Sequence, residues 1–279
     1  MQVIIKGGYV EAKILNPEVL ESLYKNHGVF ACTCYATPEK YADRVGKSCE
    51  QNGHMSGSRC EYIKFRLTDI DRGTAEQFMR HEIGTSVPFE EMDNYSFADY
   101  SELVTDVSPD QIVKNMGSFR YIDKDGFAYT TPKEIEANKR AKLAYDTLMT
   151  NINSSRSEIQ ECLENAGVDK RRAVECANFV LPRATNNTLT IGFTPEALIH
   201  FMHKRLCTRA QPEIRKQALV MKRAVEKINP EFAKELVPHC EHLLWCPEGN
   251  MSCGLRPTKA QLIELIGVRA SVAESVDKK

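Results

Sequence analysis

The stretch that most constrains the fold is Cys60-Glu61-Tyr62-Ile63-Lys64-Phe65-Arg66-Leu67. Ile63, Phe65 and Leu67 alternate with Tyr62, Lys64 and Arg66. A period of two belongs to a strand with one face in the core and one face in water. Straight after it, Asp71 to about Ile83 reads as a helix, with Ala75, Phe78 and Met79 turned inward. Arg72, Glu76 and Arg80 recur every four residues, which alone describes a solvated face of ion pairs. The end of this helix carries Gln77-Phe78-Met79-Arg80-His81-Glu82, and further on comes Ser118-Phe119-Arg120-Tyr121. Arginine forks grip phosphate, and His and Tyr can stack or share protons, so the mixture suits a planar anionic ligand. Taken alone, the same stretch also fits an ordinary charged helix end.

Other elements follow in order. Val3-Ile4-Ile5 reads as a strand ended by Gly7-Gly8, and Asn16-Pro17-Glu18 starts a helix lined by Val19, Leu20, Leu23 and Tyr24. Asn is a good N-cap, and Pro suits the first helical position. Phe30 to Tyr35 is an apolar segment with two thiols, read as a buried strand or helix end. Thr37-Pro38 opens a helix to about Asn52. Thr85 to Asp110 is aromatic and acidic with weak periodicity, which reads as an irregular insertion or lid. Ser108-Pro109-Asp110-Gln111 has the spacing of a capping box and predicts a short helix delivering Ser118. Thr131-Pro132 opens a helix to about Gly167 with a break expected near Asn153-Ser154-Ser155. Arg171 to Val180 is a helix stopped by Pro182, Thr188 to Phe193 a strand, and Thr194-Pro195 caps a helix carrying Leu198, Phe201 and Met202. A further helix runs from Pro212 to about Ile228.

At 279 residues the chain can bury a substantial core. No apolar run approaches the roughly 20 residues of a membrane span, and the N-terminus turns polar too soon for a signal peptide, so a cytoplasmic protein is expected. With 37 basic and 38 acidic residues the net charge is −1. That balance argues against bulk nucleic-acid binding, yet a small anion needs only a few placed arginines. Ten cysteines without an export signal point to reduced thiols, metal ligands or chemistry rather than a disulfide frame.

Several segments, in one order, resemble the flavin-dependent thymidylate synthases. Gly53-His54-Met55-Ser56 resembles that family's Gly-His-x-Ser/Thr segment. Gln77, Arg80 and His81 match its signature helix, and Ser118, Arg120 and Tyr121 match the signature's end. Phe127-Ala128-Tyr129-Thr130-Thr131-Pro132, Val180-Leu181-Pro182 and Ala210-Gln211-Pro212-Glu213-Ile214-Arg215 resemble later family segments. The similarity spans roughly residues 45 to 225.

The resemblance implies an α+β fold with a mixed sheet flanked by long helices, here with a large loop insertion over 85–115 and a Cys-rich C-terminal tail. Residues 1–228 would form the catalytic domain and 229–279 a C-terminal helix and tail. It implies a homotetramer that binds FAD, takes hydride from NADPH and a one-carbon unit from methylenetetrahydrofolate, and methylates dUMP at C5. His54, Arg80, His81 and Gln211 would hold FAD. Gln77, Ser118, Arg120 and Arg205 would hold the nucleotide, with Arg120 and Ser118 closest to the chemistry. Another pyrimidine substrate such as UMP, a hydroxymethyl product, or a non-catalytic flavin- or nucleotide-binding homologue are the alternatives.

Departures from the family pattern concentrate on charge. Glu82 stands where the signature has Arg, Glu196 and Asn178 stand at other expected Arg positions, and Arg59-Cys60 replaces a usual Glu-His. An Arg-to-Glu change beside a phosphate turns attraction into repulsion. Arg59, Arg183 or Arg209 would then have to restore the contact. Glu82 and Glu196 are expected to lie near one shared pocket. Glu90 and Glu91 fall where the family places a carboxylate near substrate, and equally suit a solvated loop. In the tail, Cys240, Cys246, Cys253 and His239 form a candidate tetrahedral zinc set, although no close Cys-x2-Cys pair is present.

Overall fold

The structure is a computed structural model and describes residues 3–7, 10–81 and 112–266. Its strands are β1 (Val3–Gly7), β2 (Val10–Ile14), β3 (Ile63–Asp71), β4 (Ile112–Met116) and β5 (Asn186–Phe193). The helices that matter below are α1 (Pro17–Glu21), α2 (Leu23–Cys34), α3 (Ala42–Gln51), α4 (Arg72–Met79), α5 (Lys139–Asn165), α6 (Lys170–Ala177), α7 (Pro195–Arg205), α8 (Pro212–Glu226) and α9 (His239–Leu243). The chain divides into two compact units, each built from separated stretches: Met1–Val19 with Cys60–Thr194, and Leu20–Arg59 with Pro195–Lys279.

The first unit holds a five-stranded sheet in the order β1-β2-β3-β5-β4. Ile63, Phe65 and Leu67 are fully buried, as the alternation requires, and pair with Phe193, Ile191 and Leu189 of β5. The register shifts between Leu67 and Ile70, where Asp69 adopts φ 55°. Asp is among the few residues that tolerate this left-handed conformation. The bulge changes the phase, so Ile70 also faces the core and β3 runs four residues past Leu67, to Asp71.

Among the described strands, every pairing in the sheet is antiparallel, which corrects the expected mixed sheet. β3 and β4 both run opposite to β5, but β5 lies between them and no parallel neighbours arise. The expected helix after Ser108 is also corrected: Ile112–Met116 is an edge strand paired with β5. Helix α5 runs unbroken through Asn153-Ser154-Ser155, and the interruption falls earlier, at Ala137-Asn138. Asn138 accepts from Arg140 N and Ala141 N, a side-chain N-cap for α5. Met79, expected inside, is 39% exposed at the last turn of α4.

In the second unit α2 and α3 cross at two glycines. A Cβ on Gly28 would lie 1.7 Å from the carbonyl oxygen of Ala42, and one on Gly46 would lie 1.8 Å from that of Tyr24. Only glycine permits so close an approach. Leu198, Phe201 and Met202 of α7 and Ile214, Ala218 and Met221 of α8 are buried, so both helices show the apolar stripe read from the sequence. Phe30 to Tyr35 resolves as the end of α2, with Cys32 buried and Cys34 exposed. No described helix is long and apolar enough to cross a membrane.

Candidate active site

In the first unit the signature residues sit at and just beyond the end of α4. Asp71 starts this helix by accepting from Thr74 N at 2.8 Å. Gln77 lies on its last turn, Arg80 follows exposed, and His81 is buried. The turn is held from outside: Lys114 Nζ, from β4, donates to the carbonyl oxygens of Met79 at 2.8 Å and His81 at 3.0 Å. An ammonium there satisfies carbonyls that the helix end leaves open and opposes the negative end of its dipole. Arg80 makes no ion pair among the described residues, whereas Arg72 and Arg183 both reach Glu76, at 3.4 and 3.3 Å.

The turn carrying Ser118, Arg120 and Tyr121 is fixed by Asn178. Its amide donates to the carbonyls of Phe119 at 2.7 Å and Ile122 at 3.0 Å. Its oxygen accepts from Arg156 Nε at 3.0 Å, and the fully buried Arg156 also donates to Asp123. Ser118 Oγ accepts from Arg120 N at 3.1 Å. The Arg120 guanidinium is 65% exposed and lies 2.7 Å from Glu175, which Arg172 also grips at 2.8 Å. The Arg172 and Arg120 guanidinia hold the Glu175 carboxyl below its usual range.

The second unit carries the remaining candidates. His54 is exposed and follows the end of α3, where Gly53 adopts φ 75° and His54 N bonds back to Cys49 O at 2.8 Å. That left-handed glycine turns the chain so the imidazole leaves the helix axis. Arg59 is forked onto Glu196 in the first turn of α7, with Nε–Oε2 at 2.6 Å and a second contact at 3.2 Å. Arg209 lies 3.8 Å from Glu248 and donates to Met251 O. Thus Arg59, Arg183 and Arg209, the three proposed replacements, are all ion-paired within the chain. Glu82, Glu90 and Glu91, and with Glu82 the expected pairing of Glu82 and Glu196, lie outside the described residues.

Arg205 ends α7, and Gln211 stands exposed at the start of α8. Burial lowers the Arg205 pKa, and its Nε has no hydrogen-bond partner. Arg205 lines a cavity of about 790 Å³ together with Cys207 and the tail residues His239, Cys240, Cys246 and Cys253. His203 stacks on His239 at 5.1 Å between ring centroids and packs on His242 at 4.9 Å. Burial, then the neighbouring histidines, pushes His203 down to about 4. Among the described residues no group of three or more His, Cys, Asp or Glu side chains is arranged to hold a metal. Cys240, Cys246, Cys253 and His239 share a cavity wall without converging. Burial and the neighbouring thiols raise the Cys240 pKa, while the Thr208 hydroxyl lowers that of exposed Cys253.

Sequence reading singled out Gln77, Arg80, His81, Ser118 and Arg120 but missed the side chains that hold their turns in place. Lys114, Asn178 as a clamp and Arg156 act across 33, 59 and 22 residues of chain. Asn178 was noticed only as a missing arginine, and nothing local marks Lys114.

Fold and site together define an α+β protein that presents an exposed arginine, without an ion pair among the described residues, beside a buried histidine, a grip suited to an anionic ligand. The chain belongs to the thymidylate synthase complementing protein family, whose model matches residues 24–231. It is 30% identical over 213 residues to a flavin-dependent thymidylate synthase of Nitratidesulfovibrio vulgaris, covering 76% of each chain. A flavin-dependent thymidylate synthase of Clostridium tetani is 30% identical over 72% of this chain and 73% of its own. One of Geobacter sulfurreducens is 29% identical over 72% of each.

Proposed function

We propose that this protein is an FAD-dependent thymidylate synthase that converts dUMP to dTMP, with methylenetetrahydrofolate as one-carbon donor and NADPH as reductant. The observation that carries the reading is the match to synthases of that name over about three quarters of both chains. Residues 1–228 would hold the catalytic residues and 229–279 would be a C-terminal tail, of which residues between Pro238 and Arg256 line one cavity.

The residues present fit a flavin dinucleotide. Arg80 offers an exposed guanidinium, without an ion pair among the described residues, to a diphosphate, His81 lies buried beside it, and His54 follows the end of its helix exposed. With Gln211 these would hold FAD, which when bound supplies the hydride chemistry. Gln77, Ser118, Arg120 and Arg205 would hold dUMP. Arg120 would leave Glu175 to polarise the uracil ring, and an exposed ion pair is cheap to exchange. The active assembly is a cytoplasmic homotetramer.

The test is tritium release from 5-tritiated dUMP by purified, FAD-loaded protein, with UMP as a parallel substrate. Release from dUMP that requires both methylenetetrahydrofolate and NADPH supports the reading. Release from UMP alone, or none with either nucleotide, rejects it.

A further inference from the structure

The cavity at the end of α7 is lopsided in charge. Lys204, Arg205, Arg209, Arg215 and Arg256 line it, against Glu241 and Glu248. Arg209 is taken by Glu248, and Arg215 Nε donates to Leu206 O at 3.1 Å. Lys204, Arg205 and Arg256 make no ion pair among the described residues. Lys204 and Arg205 belong to the last turn of α7, where the helix dipole alone favours cations. Arg256 has no such reason to be there.

The tail places Arg256 by a closed loop. Cys246 N donates to Pro257 O at 2.7 Å, and Cys246 bridges to Thr258. Gly254, at φ 82°, makes the turn within that loop. Arg209 ties the same loop back through Met251 O, and His239 stacks on His203. Arg256 is therefore carried on an anchored loop against the cavity, beyond the residues 24–231 that match the family. At the other end of α7, Arg59 is paired with Glu196. Three cations without a described ion pair, Lys204, Arg205 and Arg256, thus line one cavity.

We infer that the tail-walled cavity is an oxyanion-binding subsite in which Arg256, together with Arg205, binds the anionic end of a planar ligand. Two ligands of the proposed reaction share that chemistry: the phosphate of dUMP and the glutamate carboxylates of the folate. Their identity rests on the proposed function, while the oxyanion subsite does not. Guanidinium binds either group by paired, charge-assisted hydrogen bonds. Leu255 and Leu206 supply apolar wall beside the cations.

The experiment uses the full chain loaded with FAD and the variants Arg256→Ala and Arg256→Lys. Arg256 is exposed and makes no ion pair among the described residues, so both variants should fold, and FAD content checks this. dUMP binding is measured calorimetrically, with inorganic phosphate as competitor, and KM is measured for methylenetetrahydrofolate. Loss of one charge-assisted contact predicts about tenfold weaker binding in Arg256→Ala and partial recovery in Arg256→Lys. Weakened dUMP binding assigns the subsite to phosphate, and a raised folate KM alone assigns it to the carboxylates. Both constants within twofold of the parent, or a parent that binds neither ligand, overturn the inference. Arg256-dependent dUMP binding without tritium release would reject the synthase reading and leave the subsite standing.

Discussion

Asn178 and Arg156 form one buried unit: the Arg156 Nε donates to the Asn178 oxygen at 3.0 Å while the Asn178 amide holds two carbonyls of the 119–122 turn. The guanidinium in this unit comes from α5. Removing the Asn178 side chain orphans Arg156 Nε and both carbonyls. Asn178→Ala should therefore cost about 2–4 kcal/mol. The expected signature is a lower denaturation midpoint at unchanged slope, with tritium release falling further than stability explains, because Ser118 and Arg120 lose their support. A midpoint equal to that of the parent would remove this role.

Lys114 should act on cofactor binding more than on stability. Lys114→Met keeps the aliphatic stem but withdraws both donors from the Met79 and His81 carbonyls. The partly exposed setting limits the stability loss to about 1 kcal/mol. The Arg80-His81 turn is expected to loosen, weakening FAD roughly three- to tenfold, since a contact of this kind is worth about 1 kcal/mol or slightly more. Flavin fluorescence titration measures it, and an unchanged FAD affinity speaks against the positioning.

The pH dependence of stability should carry a contribution from His203. Its folded pKa is depressed from 6.5 to about 4, so the folded state favours neutral imidazole. Between these values the unfolded chain binds more protons, and stability falls as pH drops from 6.5 towards 4. The groups facing it are His200, His239 and His242. His203→Phe retains a flat ring and should flatten that slope in urea melts at stepped pH. An equal slope in both proteins would assign the loss to other groups.

What could be read from the sequence follows from how local its cause is. β3 and the α7 stripe were legible because burial writes its period directly into the residues. The bulge at Asp69 was not, since Thr68-Asp69 carries no mark until β5 fixes the register. β4 was read as a helix because Ser-Pro-Asp-Gln is a strong local start, whereas the strand exists through its pairing with β5. The expected break in α5 failed because its polar residues are satisfied in place: Ser154 bonds back to Thr150 O, and Asn153 accepts from Gly126 N. Charge told least. The sequence shows Glu196 as an absent arginine, and only the fold shows that Arg59 faces it.

That pairing yields the last prediction. Glu196→Arg places a second guanidinium against Arg59. Like charges replace an ion pair whose partners are 44% and 29% exposed, so the stability loss should be modest, about 1 kcal/mol. The double variant Arg59→Glu with Glu196→Arg reverses the pair and should recover most of that loss. A double-mutant cycle by thermal melting isolates the coupling from each side chain's other contacts. If the Arg59–Glu196 fork instead holds the 54–59 segment for FAD, the reversed pair will recover stability and cofactor affinity together. Recovery of stability without FAD affinity would mean that Arg59 itself touches the cofactor, and no coupling at all would show that the fork contributes nothing in solution.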